Sequence, residues 1–150
     1  MNAGFRSSQL VLGVPSYGVI SRSDATRLHQ RDQPAPSPNV RAVTDEGADS
    51  GPVKFRELVN QRVLCKDPTA RPSAYVGCNG FTREWDMCSS TPFLYSQAEA
   101  QVIPYDDEES LYLKATYARE RGLLGVDIFD VQGDTDQWDL VDALRRGLLV

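Results

Sequence analysis

Histidine occurs once in this chain, tryptophan and methionine twice each, and cysteine three times. No spacing among Cys65, Cys78 and Cys88 suggests zinc. The sole histidine, His29, lies in a polar loop with no Cys or Ser nucleophile spaced around it, which argues against a catalytic dyad. Long apolar runs are also lacking: no window approaches the ~18 residues of a membrane span. The opening stretch MNAGFRSSQLVLGVPSYG lacks the charged-then-apolar plan of a signal peptide. Taken literally, the chain stays in the cytosol. Basic residues are in deficit, with 16 Lys plus Arg against 21 Asp plus Glu and a net charge of -5. Without a basic cluster, nucleic acid and anionic membrane are poor partners and a neutral polar ligand fits better.

What is present suits one domain: 150 residues, 41% of them hydrophobic. The acidic excess is local, because 11 acids fall between Asp106 and Asp142, whereas residues 1–50 are balanced. Cys78 and Cys88 can bridge in an oxidising space, but an odd cysteine count equally suits free thiols or a partner outside this chain.

Residues 9–17, QLVLGVPSY, read as a strand buried on both faces. Val19 to Gly51, with PAPSP at 34–38, reads as a long surface loop. The spacing of Phe55, Leu58, Val59 and Arg62 predicts a short helix with Pro52 in its first turn. Short β-prone pieces around Thr82–Met87, Pro92–Tyr95 and Gln101–Ile103 predict a small antiparallel element. In YDDEESLYLKATYARERG, Asp106 to Glu109 open a helix, Arg119 and Arg121 close it, and Gly122 stops it. Leu111, Ala115 and Ala118 form its apolar face. A strand from Gly125 to Val131 follows, then a final helix with Asp134 and Gln137 as a capping box and Trp138, Val141, Leu144 and Leu148 on its buried side. Strand, excursion, helix, strand, helix is the grammar of a parallel α/β protein. Two parallel strands cannot close a barrel, so the chain reads as a piece of a larger fold. Its exposed strand edges predict aggregation or partial melting in isolation.

Three stretches carry a resemblance. LVLGVPSYG resembles the seventh barrel strand of glycoside hydrolase family 18, the chitinases and chitinase-like lectins. YDDEESLYLKATYARERGLLGVDIF resembles that family's seventh helix and eighth strand, and FDV-x-GDTDQWDL its fungal branch. TREWDMCSSTPFLY is similar to the α+β subdomain that the family inserts between those strands. The resemblance implies a partial (β/α)8 TIM barrel, with strand 7 at 9–18, a loop and α+β insertion at 19–104, and helix 7, strand 8 and helix 8 at 105–150. It implies hydrolysis of β-1,4-linked N-acetylglucosamine polymers with no metal or nucleotide cofactor, and a family that is usually secreted. The family's catalytic Asp-x-x-Asp-x-Asp-x-Glu motif, which supplies the general acid, is absent here. DIFDVQGD has the wrong spacing and no terminal Glu, and the family's sixth-strand Tyr-Asp pair would lie upstream of Met1. No catalytic residue is therefore expected in this chain, which would act with an upstream barrel fragment.

Strand alternation puts Asp127, Phe129 and Val131 on one face, which the resemblance turns toward the barrel lumen. Phe129 occupies the place where most members carry a Trp that floors a sugar, so weaker stacking is expected there. Asp127 can accept hydrogen bonds from sugar hydroxyls, and its pKa should rise if it is buried. Tyr17, Asp130 and Gln132 lie at strand tips, where barrel sites are built. Trp85, with Tyr95, belongs to the inserted wall. Each has a plainer reading: core packing for Phe129 and Trp85, barrel-mouth filling for Tyr17, helix capping for Asp130 and Asp134, surface charge for Arg22 and Asp24. The expected ligand is chitin or a chito-oligosaccharide. Two readings compete with the enzyme fragment: a non-catalytic, lectin-like chitin-binding protein, and a cation-binding α/β module, which is disfavoured because no loop supplies several oxygens at close spacing.

Overall fold

The computed structural model describes residues 4–23 and 42–149. Asp24, His29 and the PAPSP run lie outside them. Two strands, β1 (Val11–Pro15) and β9 (Gly125–Phe129), pair in parallel with Val11 opposite Gly125 and Pro15 opposite Phe129. Between them along the chain run β2 (Tyr17–Arg22), β3 (Gly51–Lys54), α1 (Phe55–Asn60), β4 (Leu64–Lys66), β5 (Tyr75–Gly77), β6 (Thr82–Asp86), β7 (Thr91–Ser96), β8 (Gln101–Pro104) and α2 (Glu108–Glu120); α3 (Asp139–Leu149) follows β9. A five-stranded antiparallel sheet has the order β3-β2-β8-β7-β6, and β4 with β5 forms a separate hairpin.

Several expectations change. Residues 9–17 are not one strand buried on both faces: the chain bends at Ser16, and Tyr17 opens a strand of the other sheet. Leu12 and Val14 pack on the core while Val11 is 49% exposed, because helices cover one face of the β1–β9 pair and leave the other open. Val19–Arg22 is strand rather than loop, and Pro52 sits in β3, not in a helical turn. Arg62 lies beyond α1 with φ +58°. Trp138, expected inside, is 52% exposed with φ +60°, a turn that breaks the helical phase before α3 begins. The disulfide joins Cys65 to Cys78, not Cys78 to Cys88. Pairing of β4 with β5 brings those Cα atoms to 6.0 Å and leaves Cys88 free in the β6–β7 turn.

The α2 reading holds in detail. Asp107 caps the helix by accepting from the Glu109 and Ser110 amides, Leu111, Ala115 and Ala118 are buried, and Gly122 takes φ +63° just beyond the end. Helix α3 lies against α2 so closely that a Cβ at Gly147 would fall 2.6 Å from the Tyr112 carbonyl oxygen. In its first turn the Leu140 and Val141 amides donate to Asp134, which therefore caps it as expected, though without Gln137.

The acids at the start of α2 do more than face its dipole. Arg83 reaches Asp107 at 2.8 Å and Glu109 at 2.6 Å, and Lys114 holds Asp106 at 2.7 Å. Glu108 is the exception. Burial raises its pKa and the charge of Asp107 adds to that, against a 2.9 Å hydrogen bond donated by Ser73. A carboxyl whose folded pKa is raised favours folding in acid and loses that contribution as pH rises through its folded pKa. Glu108→Gln keeps an acceptor for Ser73 and removes the charge. It is expected to raise stability at neutral pH by up to about 1 kcal/mol, with the gain vanishing in acid, in denaturant titrations at both pH values. A variant less stable than the parent at neutral pH would contradict this.

Candidate functional site

The open face of the parallel pair carries Val11, Gly13 and Pro15 on β1 and Gly125, Asp127 and Phe129 on β9, since side chains alternate along a strand. A Cβ added at Gly13 or Gly125 would meet nothing within 4 Å. Asp127 is exposed on this face, not buried. Val126 and Ile128 pack on the core, and Asp127 points the other way, into water, so the strand carries a carboxylate without burying it.

At the C-terminal tips of both strands the chain is pinned. The Ser16 amide donates to the Phe129 carbonyl at 3.0 Å, and the Ser16 hydroxyl donates to the Asp130 carbonyl. The Phe129–Asp130 peptide is cis. Asp130 accepts from the Gly133 amide at 3.0 Å, closing a single 3-10 turn over residues 131–133. Only glycine fits at 133, because a Cβ there would lie 2.1 Å from the Ser16 Oγ and 2.6 Å from its carbonyl oxygen.

A cleft of about 510 Å³ opens at these tips, lined by Tyr17, Phe129 and Asp130 together with Lys54 and the 44–50 turn. Phe129 is 69% exposed and Tyr17 36%, so both rings offer a face to a ligand. The structure thus gathers Tyr17 and Phe129 into one concavity and puts Asp127 on the strand face that leads to it. Gln132 is exposed in the 3-10 turn, and Trp85 is half-buried on β6 beneath the Arg83 guanidinium, 5.7 Å from the ring centroid; neither lines this cleft. Tyr95, opposite Thr82 in the β6–β7 pairing, does not line it either. Arg22 pairs with Asp49 at 2.8 Å on the surface.

Sequence reasoning missed the wall built by Thr44, Asp45 and Glu46. The turn is internally fixed, with the Ala48 amide donating to the Thr44 hydroxyl and the Lys54 amide to Asp45. Its local signal is the Asp-Glu-Gly run at 45–47, but its position beside β1 depends on β3 pairing with β2. Among the described residues no group of three or more His, Cys, Asp or Glu side chains is placed to hold a metal ion.

Solved structures that superpose on this chain include chitinases and a chitinase-like agglutinin. A class V chitinase from Nicotiana tobaccum, solved in complex with NAG4, superposes with a TM-score of 0.68 at 27% identity over 99% of this chain and 37% of that one. Chitinase A1 of Niallia circulans is 29% identical over 143 residues, 91% of this chain and 17% of that protein. A chitinase-like effector of Moniliophthora roreri is 28% identical over 162 residues, covering 98% and 39%. The chain therefore spans less than half the length of each of these. Residues 1–134 match the family model described as Glycosyl hydrolases family 18, and the chain belongs to that family.

Proposed function

We propose that this chain is the C-terminal part of a chitinase-like (β/α)8 domain, with β1 and β9 as barrel strands 7 and 8, α2 and α3 as helices 7 and 8, and the intervening sheet as the α+β insertion. It supplies wall and floor to a cleft for β-1,4-linked N-acetylglucosamine polymers and lacks the catalytic acid. The observation that carries this reading is the parallel β1–β9 pair, whose uncovered face ends at a cleft walled by Phe129 and Tyr17. Phe129 stacks on a pyranose ring, Asp127 accepts hydrogen bonds from sugar hydroxyls on the strand face that leads to the cleft, Tyr17 closes the mouth, and Gln132 and Trp85 belong to more distant parts of the wall. Helices cover only one face of the pair, which supports an upstream barrel segment as partner for the other.

A second reading, a lectin-like chitin binder without turnover, fits the same feature: no Asp-x-x-Asp-x-Asp-x-Glu sequence occurs anywhere in the 150 residues. Incubation of the purified chain with a chromogenic chito-oligosaccharide, beside retention on chitin beads, tests the loss of catalysis that both readings share and the saccharide binding that both require. The expected result is no release of chromophore above background, together with retention. Release would refute the loss of catalysis. Phe129→Ala should weaken retention by roughly three- to tenfold, the worth of one aromatic contact, and Phe129→Trp should strengthen it. Unchanged retention in Phe129→Ala would remove this ring from the site.

A further inference from the structure

Two carboxylates from different segments, Glu46 of the 44–50 turn and Asp130 at the end of β9, line the cleft that holds Phe129 and Tyr17. Asp130 is held in place by the Gly133 amide, a neutral donor that leaves its charge uncompensated. Glu46 is exposed, and among the described residues neither carboxylate has a cationic partner. Among the described residues Lys54 is the one cation in the lining, and Asp45 takes it at 3.5 Å. The concavity therefore presents three carboxylates against one ammonium group. A cleft lined by one sign of charge concentrates ligands of the other sign, and exposed aromatic faces add an attraction for ammonium groups.

We infer that this cleft prefers β-1,4-linked glucosamine chains with free, protonated amino groups over fully N-acetylated ones, so that partly deacetylated chitin is its better ligand. The inference rests on the saccharide reading of the same cleft: Phe129 supplies the pyranose platform common to both polymers, and Glu46 and Asp130 discriminate between an ammonium and an acetamido group. A neutral acetamide gains nothing from the net charge of the lining, whereas an ammonium gains from each unpaired carboxylate.

The test is calorimetric titration of the 150-residue chain with the tetramer of glucosamine and, separately, the tetramer of N-acetylglucosamine, in low and in high sodium chloride and below the pKa of the amine. The expected result is about fivefold tighter binding of the glucosamine tetramer at low salt, the scale of an exposed ion pair or two. Screening should erase that margin at high salt while leaving the acetylated tetramer's affinity unchanged. Glu46→Gln combined with Asp130→Asn keeps the Gly133 acceptor and should also level the two affinities. If circular dichroism shows the double variant unfolded, the salt series on the parent chain decides alone. Equal or tighter binding of the acetylated tetramer at low salt overturns the amine preference and leaves the saccharide cleft standing. Binding of neither tetramer overturns both.

Discussion

Asp107→Ala is expected to lower the stability of this chain by about 3–5 kcal/mol, a large share of the about 5–15 kcal/mol that a domain of this size holds in all. The side chain is fully buried. One carboxylate oxygen accepts from the Glu109 and Ser110 amides at 3.0 and 3.2 Å, and the other from two nitrogens of Arg83 at 2.9 and 2.8 Å. Alanine removes the cap of α2, worth about 1 kcal/mol. It also leaves a largely buried guanidinium with Glu109 as its remaining carboxylate, and an uncompensated buried charge is the larger loss. Two companions separate these parts. Asp107→Asn retains an acceptor for the amides but not the charge and should fall between parent and alanine. Arg83→Met in the Asp107→Ala background should recover part of the loss, because the orphaned cation is gone. Urea titrations read all three. A loss below about 1 kcal/mol for Asp107→Ala would mean that the ion pair does not anchor the antiparallel sheet to α2.

The same residue shows what the sequence could disclose. Helix α2 was legible because its signals are local: acids in the first turn, bases in the last, and a glycine free to adopt φ +63°. The parallel β9 strand was legible from its branched and aromatic run, and Phe129 and Tyr17 as candidates from their place at strand tips. Features that depend on distant pairing were not. Pro52 looked like a helix opener, but β3 is an edge strand of the five-stranded sheet, a position where a missing amide donor costs little. The partner of Cys78 was set by the β4–β5 hairpin, which ten residues of sequence on either side do not determine. Trp138 fits the apolar period of α3 and is excluded from the core only by a left-handed turn one residue before the helix. The acidic wall of the cleft was hidden for the same reason: the β2–β3 ladder brings the 44–50 turn with Glu46 to the cleft that Phe129 lines, and nothing within a few residues of Glu46 encodes that.

Phe55→Ala is the second large effect, an expected loss of about 3–5 kcal/mol, with Phe55→Leu costing clearly less. The ring is wholly buried where β3 turns into α1. It meets Tyr75 of β5 edge-on at 5.1 Å and stacks on Tyr105, just before α2, at 6.3 Å. Three segments far apart in the chain thus share one side chain, and truncation opens a void that none of them can fill alone. The Phe55 amide also donates to the Ser16 carbonyl at 2.9 Å, tying this junction to the bend between β1 and β2, and Ser16 in turn holds the Phe129 and Asp130 carbonyls at the cleft rim. Hydrogen exchange on Phe55→Ala should therefore show lost protection in the β4–β5 hairpin and at the Ser16 amide together, and chitin retention should fall even though Phe55 does not line the cleft. Loosening confined to α1, with retention intact, would mean that the cleft is held by the β1–β9 pair alone and does not depend on this ring.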